Sequence, residues 1–201
     1  MEKIFVLATH NKNKVREYRE LLEPLGYKIL SASDMLIENE PEENGSTYRE
    51  NSYIKARALR NVVPYPVIAD DSGIEIAALG EHFPGLHSAR WAEEIAHGDY
   101  AKVDQHVLDL LKNKSNRDAE YHCCICLLEN SDSEPLYFEG VCEGRILKKI
   151  TGNNGFGYDP IFHENAHNLD FGTCSEDEKN AISHRAKAFA KLKDYLATLA
   201  K

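Results

Sequence analysis

Val67-Ile68-Ala69-Asp70-Asp71-Ser72-Gly73 decides how this chain is read: a short apolar run with a β-branched majority delivers two adjacent carboxylates to a glycine-marked turn. A strand covered on both faces of a parallel sheet reads as such a run, and ligands collect where the carboxyl ends of these strands open into a crevice. Adjacent aspartates repel unless a divalent metal, a lysine or arginine, or a raised pKa on one partner relieves the charge, and each remedy serves catalysis. Asp-Asp-Ser-Gly alone is also ordinary turn chemistry, so the rest of the chain has to decide.

At 201 residues the chain fits one compact domain, 1–201, large enough to bury a substantial core. Hydrophobic residues make up 42% and charged residues 28%, ordinary shares for a globular protein, and no apolar run reaches the length of a membrane span. Ile4 to Ala8 is too short for a signal-peptide core, so no membrane association and a cytoplasmic location are expected. A formal net charge of −9 argues against broad binding to nucleic acid, which needs a cationic face. A small anion would instead need local lysines and arginines or a metal. The five cysteines are odd in number, and Cys123, Cys124 and Cys126 crowd one apolar stretch, which argues against a secreted disulfide framework. Cys123 and Cys126 have metal-ligand spacing, but on an extended strand residues three apart point to opposite faces. They read as core packing.

The first hundred residues alternate strand and helix signals. Ile4 to Ala8 predicts a strand; Val15, Tyr18, Leu21, Leu22 and Leu25 repeat at helical spacing until Gly26. Ile29-Leu30 predicts a short second strand, and Pro41 to Gly45 an acidic loop. Thr47-Tyr48-Arg49-Glu50 has the form of a capping box opening a helix toward Pro64. Val103, Val107, Leu110 and Leu111 mark another amphipathic helix. From Ala119 to Phe162 the pattern is extended: a strand around Tyr121 to Leu128 buried on both faces, then Leu136 to Cys142 and Arg145 to Ile150 as separate strands broken by Gly140 and Gly144. Ile182, Ala186, Phe189, Leu192, Leu196 and Leu199 form the stripe of one closing helix.

Four further segments carry chemistry. Thr9-His10-Asn11-Lys12-Asn13-Lys14 joins the first strand to the first helix, where unpaired backbone amides, a hydroxyl and two lysines suit phosphate, although the glycines of a P-loop are lacking. Glu42-Glu43-Asn44-Gly45 offers hard oxygen ligands if it folds over that loop and the acid pair, as Mg2+ requires. Lys55 lies two helical turns past Thr47. In Gly152 to Pro160, glycines allow close backbone approach and an aromatic ring offers a stacking face for a base; a tight hairpin with packed aromatics reads equally well. Lys179, His184 and Arg185 lie at a polar helix start.

Taken in order, ATHNKNK (8–14), EENGSTYRENSYIKA (42–56), ADDSG (69–73), PGLHSAR (84–90), FGYDPIF (156–162) and DEKNAISHR (177–185) closely resemble the inosine triphosphate pyrophosphatase family, the non-canonical purine nucleoside triphosphate pyrophosphatases. The resemblance covers nearly the whole chain. It implies an α/β fold with a mixed elongated central sheet and flanking helices, two lobes with a cleft between them, and a homodimer. It implies a hydrolase acting on acid anhydrides, converting ITP, dITP or XTP to the monophosphate and pyrophosphate with Mg2+ as cofactor. Carried over by position, Thr9, His10, Asn11, Lys12, Asn13, Lys14 and Lys55 would hold phosphates. Glu42 and Asp71 would bind the metal, with Asp71 also the general base. Ser72 would contact substrate, and Phe156, Gly157, Tyr158, Asp159, Lys179, His184 and Arg185 would surround the base. His10, Asn44 and His87 depart from the commonest form of the pattern, which has glycine, threonine and tyrosine there, and no proposed ligand is lost.

A triphosphate needs preorganised positive charge, which Lys14, Lys55 and a metal would supply, and a carboxylate to orient water. Which of Asp70 and Asp71 does so stays open at this level. Arg185, a donor only, suits the 6-oxo group of hypoxanthine or xanthine and disfavours adenine's amino group. Two rivals remain: a regulatory module that holds a purine nucleotide without hydrolysing it, and a related pyrophosphatase for other nucleotides.

Overall fold

The computed structural model describes residues 3–199. Among them, seven strands form one sheet in the order β2-β1-β3-β4-β5-β6-β7. The strands are β1 (Lys3–Leu7), β2 (Tyr27–Ser31), β3 (Val67–Ile76), β4 (Asp118–Leu128), β5 (Leu136–Ile146), β6 (Phe162–Glu164) and β7 (Leu169–Asp170). β1 pairs with β2 and β3 in parallel, whereas β6 pairs with β5 and β7 antiparallel, so the sheet is mixed as expected. The helices are α1 (Lys12–Leu22), α2 (Tyr48–Arg60), α3 (Ser88–Ala96), α4 (Tyr100–Leu110), α5 (Glu176–Ile182) and α6 (His184–Thr198). None of the described helices is long and apolar enough to cross a membrane.

The chain divides into two compact units. The first holds the residues up to Asp71, Cys123–Glu139 and those from Ala188 onward; the second holds Ser72–His122 and Gly140–Lys187. In the first unit the period of two along each strand sorts side chains into two apolar clusters. Phe5, Leu7, Ile68, Cys123, Ile125 and Leu127 pack under Val15, Tyr18 and Leu22 of α1 and Phe189, Leu192 and Leu196 of α6. Val6, Val67, Ala69, Cys126 and Leu128 pack under Ala56 and Leu59 of α2. Cys123 and Cys126 therefore face opposite ways, as their spacing requires. Each fully buried Leu, Ile or Phe contributes roughly 1.5–3 kcal/mol through removal from water. The second unit has its own core, in which Ile74 and Ile76 meet Ala92 of α3, Val103 and Val107 of α4, and Tyr121, Cys142, Phe162, Phe171 and Ile182.

Local chemistry explains the element ends, with several corrections to the sequence reading. Asn11 caps α1, its side-chain oxygen accepting from the amides of Asn13 (2.9 Å) and Lys14 (3.2 Å). Thr47 caps α2, its hydroxyl oxygen accepting from the Glu50 amide, and the Glu50 carboxylate reaches back to the amide and hydroxyl of Ser46. A reciprocal capping box also joins Ser175 and Glu178 at the start of α5. The anticipated break at Gly140 and Gly144 does not occur: β5 runs through both glycines and ends at Ile146. Gly144 is a place of close approach, where an added Cβ would lie 2.2 Å from the His163 carbonyl oxygen and 2.4 Å from the Phe162 ring. The single closing helix is two helices, parted at Ser183, whose extended backbone (ψ 165°) caps α5. Ile182 consequently joins the second unit's core, whereas Phe189, Leu192 and Leu196 serve the first. On α4 Leu108 is buried beside Val103 and Val107, whereas Leu110 is 43% exposed.

Gly144→Ala is expected to cost about 1–3 kcal/mol or more, because the nearest obstacle is backbone that cannot turn aside. Urea unfolding of the variant checks this; an unchanged midpoint would show that the β5–β6 approach is looser than described.

Candidate functional site

The acid pair does not sit in a turn. β3 continues through Asp70, Asp71, Ser72 and Gly73 to Ile76, and strand alternation sends the two carboxylates to opposite faces. Asp70 follows Ile68 toward α1, and Asp71 follows Val67 and Ala69 toward α2. The repulsion expected of neighbouring aspartates is thus relieved by geometry and by one lysine each.

On the α1 face Asp70 is buried, with Lys14 ion-paired to its Oδ1. Lys14 Nζ also donates to the Asp70 carbonyl oxygen at 3.3 Å. Tyr18 Oη and Cys123 Sγ donate to Asp70 Oδ2 at 3.2 and 3.3 Å. Both carboxylate oxygens are therefore engaged.

On the α2 face Asp71 is 5% exposed and accepts from Lys55 Nζ through Oδ1 at 2.8 Å. Its Oδ2 is buried and has no hydrogen-bond partner among the described residues. Burial raises the Asp71 pKa, and Lys55 and Lys14 lower it without cancelling that rise. For Lys55, burial works against the ammonium, but Asp71 and Glu43 outweigh it and the pKa is raised. Glu43 is the loop acid that reaches Lys55, at 3.3 Å, while Glu42 is exposed. The first loop is only partly drawn in. Thr9 Oγ1 accepts from the Asn11 amide, His10 Nδ1 lies 3.1 Å from Ser33 Oγ, and Lys12 is exposed. Thr9, His10 and Lys55 line a cavity of about 300 Å³ with Ala58 and Leu59. The amides of Asn13 and Lys14 are taken by the Asn11 cap, so this helix start offers phosphate fewer backbone donors than the sequence reading supposed.

The second unit gathers the remaining candidates. Asp159 is buried and accepts from Lys179 Nζ and the Phe156 amide, each at 2.7 Å, and from Tyr121 Oη at 3.3 Å. Gly155 makes room for this carboxylate, since a Cβ there would lie 2.2 Å from Asp159 Oδ2. Lys179 lies 4.5 Å from the Phe156 ring centroid, and the Arg185 guanidinium lies 5.9 Å from it. Arg185, 2% exposed, donates to Ser72 Oγ at 3.1 Å. His184 stacks on Tyr121 with centroids 4.7 Å apart and planes within 9°. Gly157 has a left-handed φ of 67°. Tyr158 turns into the core, its hydroxyl donating to the Ser88 carbonyl at 2.8 Å. Beneath this group, Asp104 of α4 is buried with Oδ1 unpartnered among the described residues; burial and the nearby Asp159 push its pKa up to about 8.

Tyr18, Tyr121 and Cys123 read only as core or strand positions in the sequence, which carries no signal of their polar contacts. Glu43 belongs to the acidic loop that the sequence marks as a source of oxygen ligands, one position from Glu42, the metal ligand the resemblance implies.

The residues fit a divalent cation. Asp71 Oδ2 is a buried oxygen with no donor among the described residues, and an acidic loop reaches its lysine. Among the described residues no three His, Cys, Asp or Glu side chains converge as a metal cage. The geometry defines an α/β protein that collects lysines around a divided carboxylate pair, a class suited to metal-bound phosphate.

The chain belongs to the Ham1 family, whose model matches residues 5–195. It is 39% identical to a dITP/XTP pyrophosphatase of Clostridium perfringens, over 99% of this chain and all of that protein. It is 42% identical to a dITP/XTP pyrophosphatase of Coxiella burnetii, over 95% of each chain. Among solved structures, it superposes on a HAM1 protein from Coxiella burnetii with a TM-score of 0.86 at 41% identity, covering 98% of this chain and 99% of that one. The Staphylococcus aureus Ham1 protein gives 0.80 at 32% identity, with the same coverage. The resemblance read from the ordered motifs is borne out.

Asp104 gives a pH test. Its folded-state pKa lies above that of an unfolded aspartate, so its contribution to stability is complete below about pH 4 and is lost as pH rises through about 8. Asp104→Asn, neutral throughout, should gain stability relative to the unaltered protein over that window. Urea midpoints across pH check it, and a constant difference would show that Asp104 is ionised in the fold.

Proposed function

We propose that the protein hydrolyses non-canonical purine nucleoside triphosphates, ITP, dITP and XTP, to the monophosphate and pyrophosphate, clearing them from the nucleotide pool. The observation that carries this reading is Asp71, with one oxygen fixed by Lys55 and the other buried without a donor among the described residues. Nearly full-length relatives bearing the name dITP/XTP pyrophosphatase support the substrate class.

In this reading Asp71 and the Glu42-Glu43 loop hold Mg2+, which when bound supplies charge neutralisation to the phosphate oxygens. Lys14 and Lys55, already oriented by Asp70 and Asp71, add fixed positive charge as bonds shift at phosphorus. Asp71 orients the attacking water and takes its proton, and the bond between the α and β phosphates breaks. Thr9, His10, Asn11, Lys12 and Asn13 are the loop contacts to phosphate. Phe156 supplies a stacking face, and Arg185, with Ser72, His184, Lys179 and Asp159, forms a donor-rich surface for a 6-oxo purine. Adenine would leave a buried donor facing its amino group, a penalty of about 1–3 kcal/mol. Five buried cysteines held as thiols suit a reducing compartment such as the cytoplasm. Light scattering tests the homodimer that the resemblance implies.

The decisive experiment is product analysis with ITP, XTP, GTP and ATP. Mg2+-dependent release of monophosphate and pyrophosphate is expected from ITP and XTP; orthophosphate and a diphosphate as products would overturn the proposed cleavage. Asp71→Asn keeps shape and removes charge, so turnover should fall about 10²- to 10⁴-fold with the fold retained. A variant near full activity would remove Asp71 from both its roles.

Arg185→Ala should lower kcat/KM for ITP by about tenfold or more and leave ATP little changed, narrowing the ratio between them. An equal loss for both substrates would assign Arg185 to structure or to phosphates.

A further inference from the structure

Asp70 presents a puzzle that the reaction does not resolve. It is as deeply buried as its neighbour, yet both of its oxygens are occupied, so it is not available to water or metal. An ionised carboxylate in such a place is tolerated only where its lone pairs are satisfied and a cation faces it. Three donors do this from two directions. Lys14 and Tyr18 are four residues apart on α1, so one helix face presents both the ammonium and the phenol. Cys123 comes from β4, the neighbour of β3 in the sheet.

We propose that Tyr18 and Cys123 are positioning residues for the phosphate-binding lysine: they clamp Asp70, and Asp70 in turn fixes the Lys14 ammonium. This rests on the reading of Lys14 as a phosphate contact. A lysine ammonium on a four-carbon stem has many rotamers, and ordering it at the moment of binding weakens affinity. A carboxylate gripped from both the helix and the sheet removes that cost in advance. The surroundings of Tyr18 and Cys123 are apolar, including Phe5, Leu7, Ile68 and Phe189. Phenylalanine and alanine would therefore serve packing at these positions, and what tyrosine and cysteine add is a hydrogen-bond donor aimed at Asp70 Oδ2. The phenol also locks the rotation of α1 against β3, and with it the start of the helix that bears Lys14.

The test compares Tyr18→Phe, Cys123→Ala and Cys123→Ser in the full chain. Steady-state kinetics with ITP, inhibition by IMP, and calorimetric binding of inorganic pyrophosphate are measured on each. Tyr18→Phe should raise KM and weaken pyrophosphate binding about tenfold, the effect of losing one hydrogen bond to a charged group. The value of kcat should move far less. Inhibition by IMP should weaken less, because IMP presents one phosphate to the lysines where ITP presents three. Cys123→Ala should shift the same quantities in the same direction, and Cys123→Ser, which restores a donor, should recover most of the loss. Unchanged KM and pyrophosphate binding in both Tyr18→Phe and Cys123→Ala would overturn the proposal. So would a loss confined to kcat, or equal behaviour of the alanine and serine variants. If Tyr18→Phe fails to fold, the Cys123 pair decides. Pyrophosphate release by the unaltered protein tests the underlying activity by itself, and calorimetry across the variants tests the clamp even if that activity is absent. Failure of the unaltered protein to bind pyrophosphate would overturn the clamp.

Discussion

The alternation of side chains along β3 is the constraint on which the site depends. Two carboxylates one residue apart on a strand face opposite ways, so each needs its own environment and its own cation. Asp70 meets Lys14 on the α1 face and Asp71 meets Lys55 on the α2 face. A turn at this point would have brought both acids to one side, where they compete for the same counter-ion. The extended backbone instead gives them different fates: Asp70 is saturated by protein donors, whereas Asp71 keeps one oxygen open. The division of labour that stays open at the level of sequence follows from the parity of two neighbouring positions.

The second unit applies the same economy to its own charges. Asp159 collects Lys179, a backbone amide and a phenol, and the rings of Phe156 and Tyr121 cover Lys179 and His184. A buried ammonium held over an aromatic face, as Lys179 is, keeps its direction and sheds little of its charge, a sound basis for reading the edge of a planar ligand. Both units therefore secure lysine with aspartate before any ligand arrives, so less ordering is left to be done on binding.

Much of this was legible in the sequence where the signal was local. The Asp70-Asp71 run, the Asn11 to Lys14 helix start and the Lys179 to Arg185 segment were found because each chemistry-bearing residue stands beside a strand or helix signal. The failures were contacts made across the chain. Tyr18 and Cys123 read as core because their apolar neighbours are visible in the pattern, and the carboxylate they serve is 52 and 53 residues away. Glycine misled twice, in opposite senses. Gly73 reads as a turn and Gly144 as a strand break, but both lie within continuous strands where another chain segment presses close. A single sequence shows that a Cβ is missing but not what occupies its place. The closing helix failed at Ser183 for a related reason: Ile182 and Phe189 fit one helical stripe, yet they belong to different cores.

The five buried cysteines, all held as thiols, give the molecule a set of internal reporters. Cys123, Cys124 and Cys126 lie in the first unit, and Cys142 and Cys174 in the second. Burial lifts the pKa of Cys124 to about 11 and of Cys126 and Cys142 to about 12, so in the closed state hardly any thiolate is present to react. Alkylation by a small reagent must then wait for a local or global opening, and its rate at each sulfur measures the free energy of that opening. Mass spectrometry of the labelled peptides separates the two groups. The natural cysteines thus allow the breathing of each unit to be timed independently, without any engineered probe.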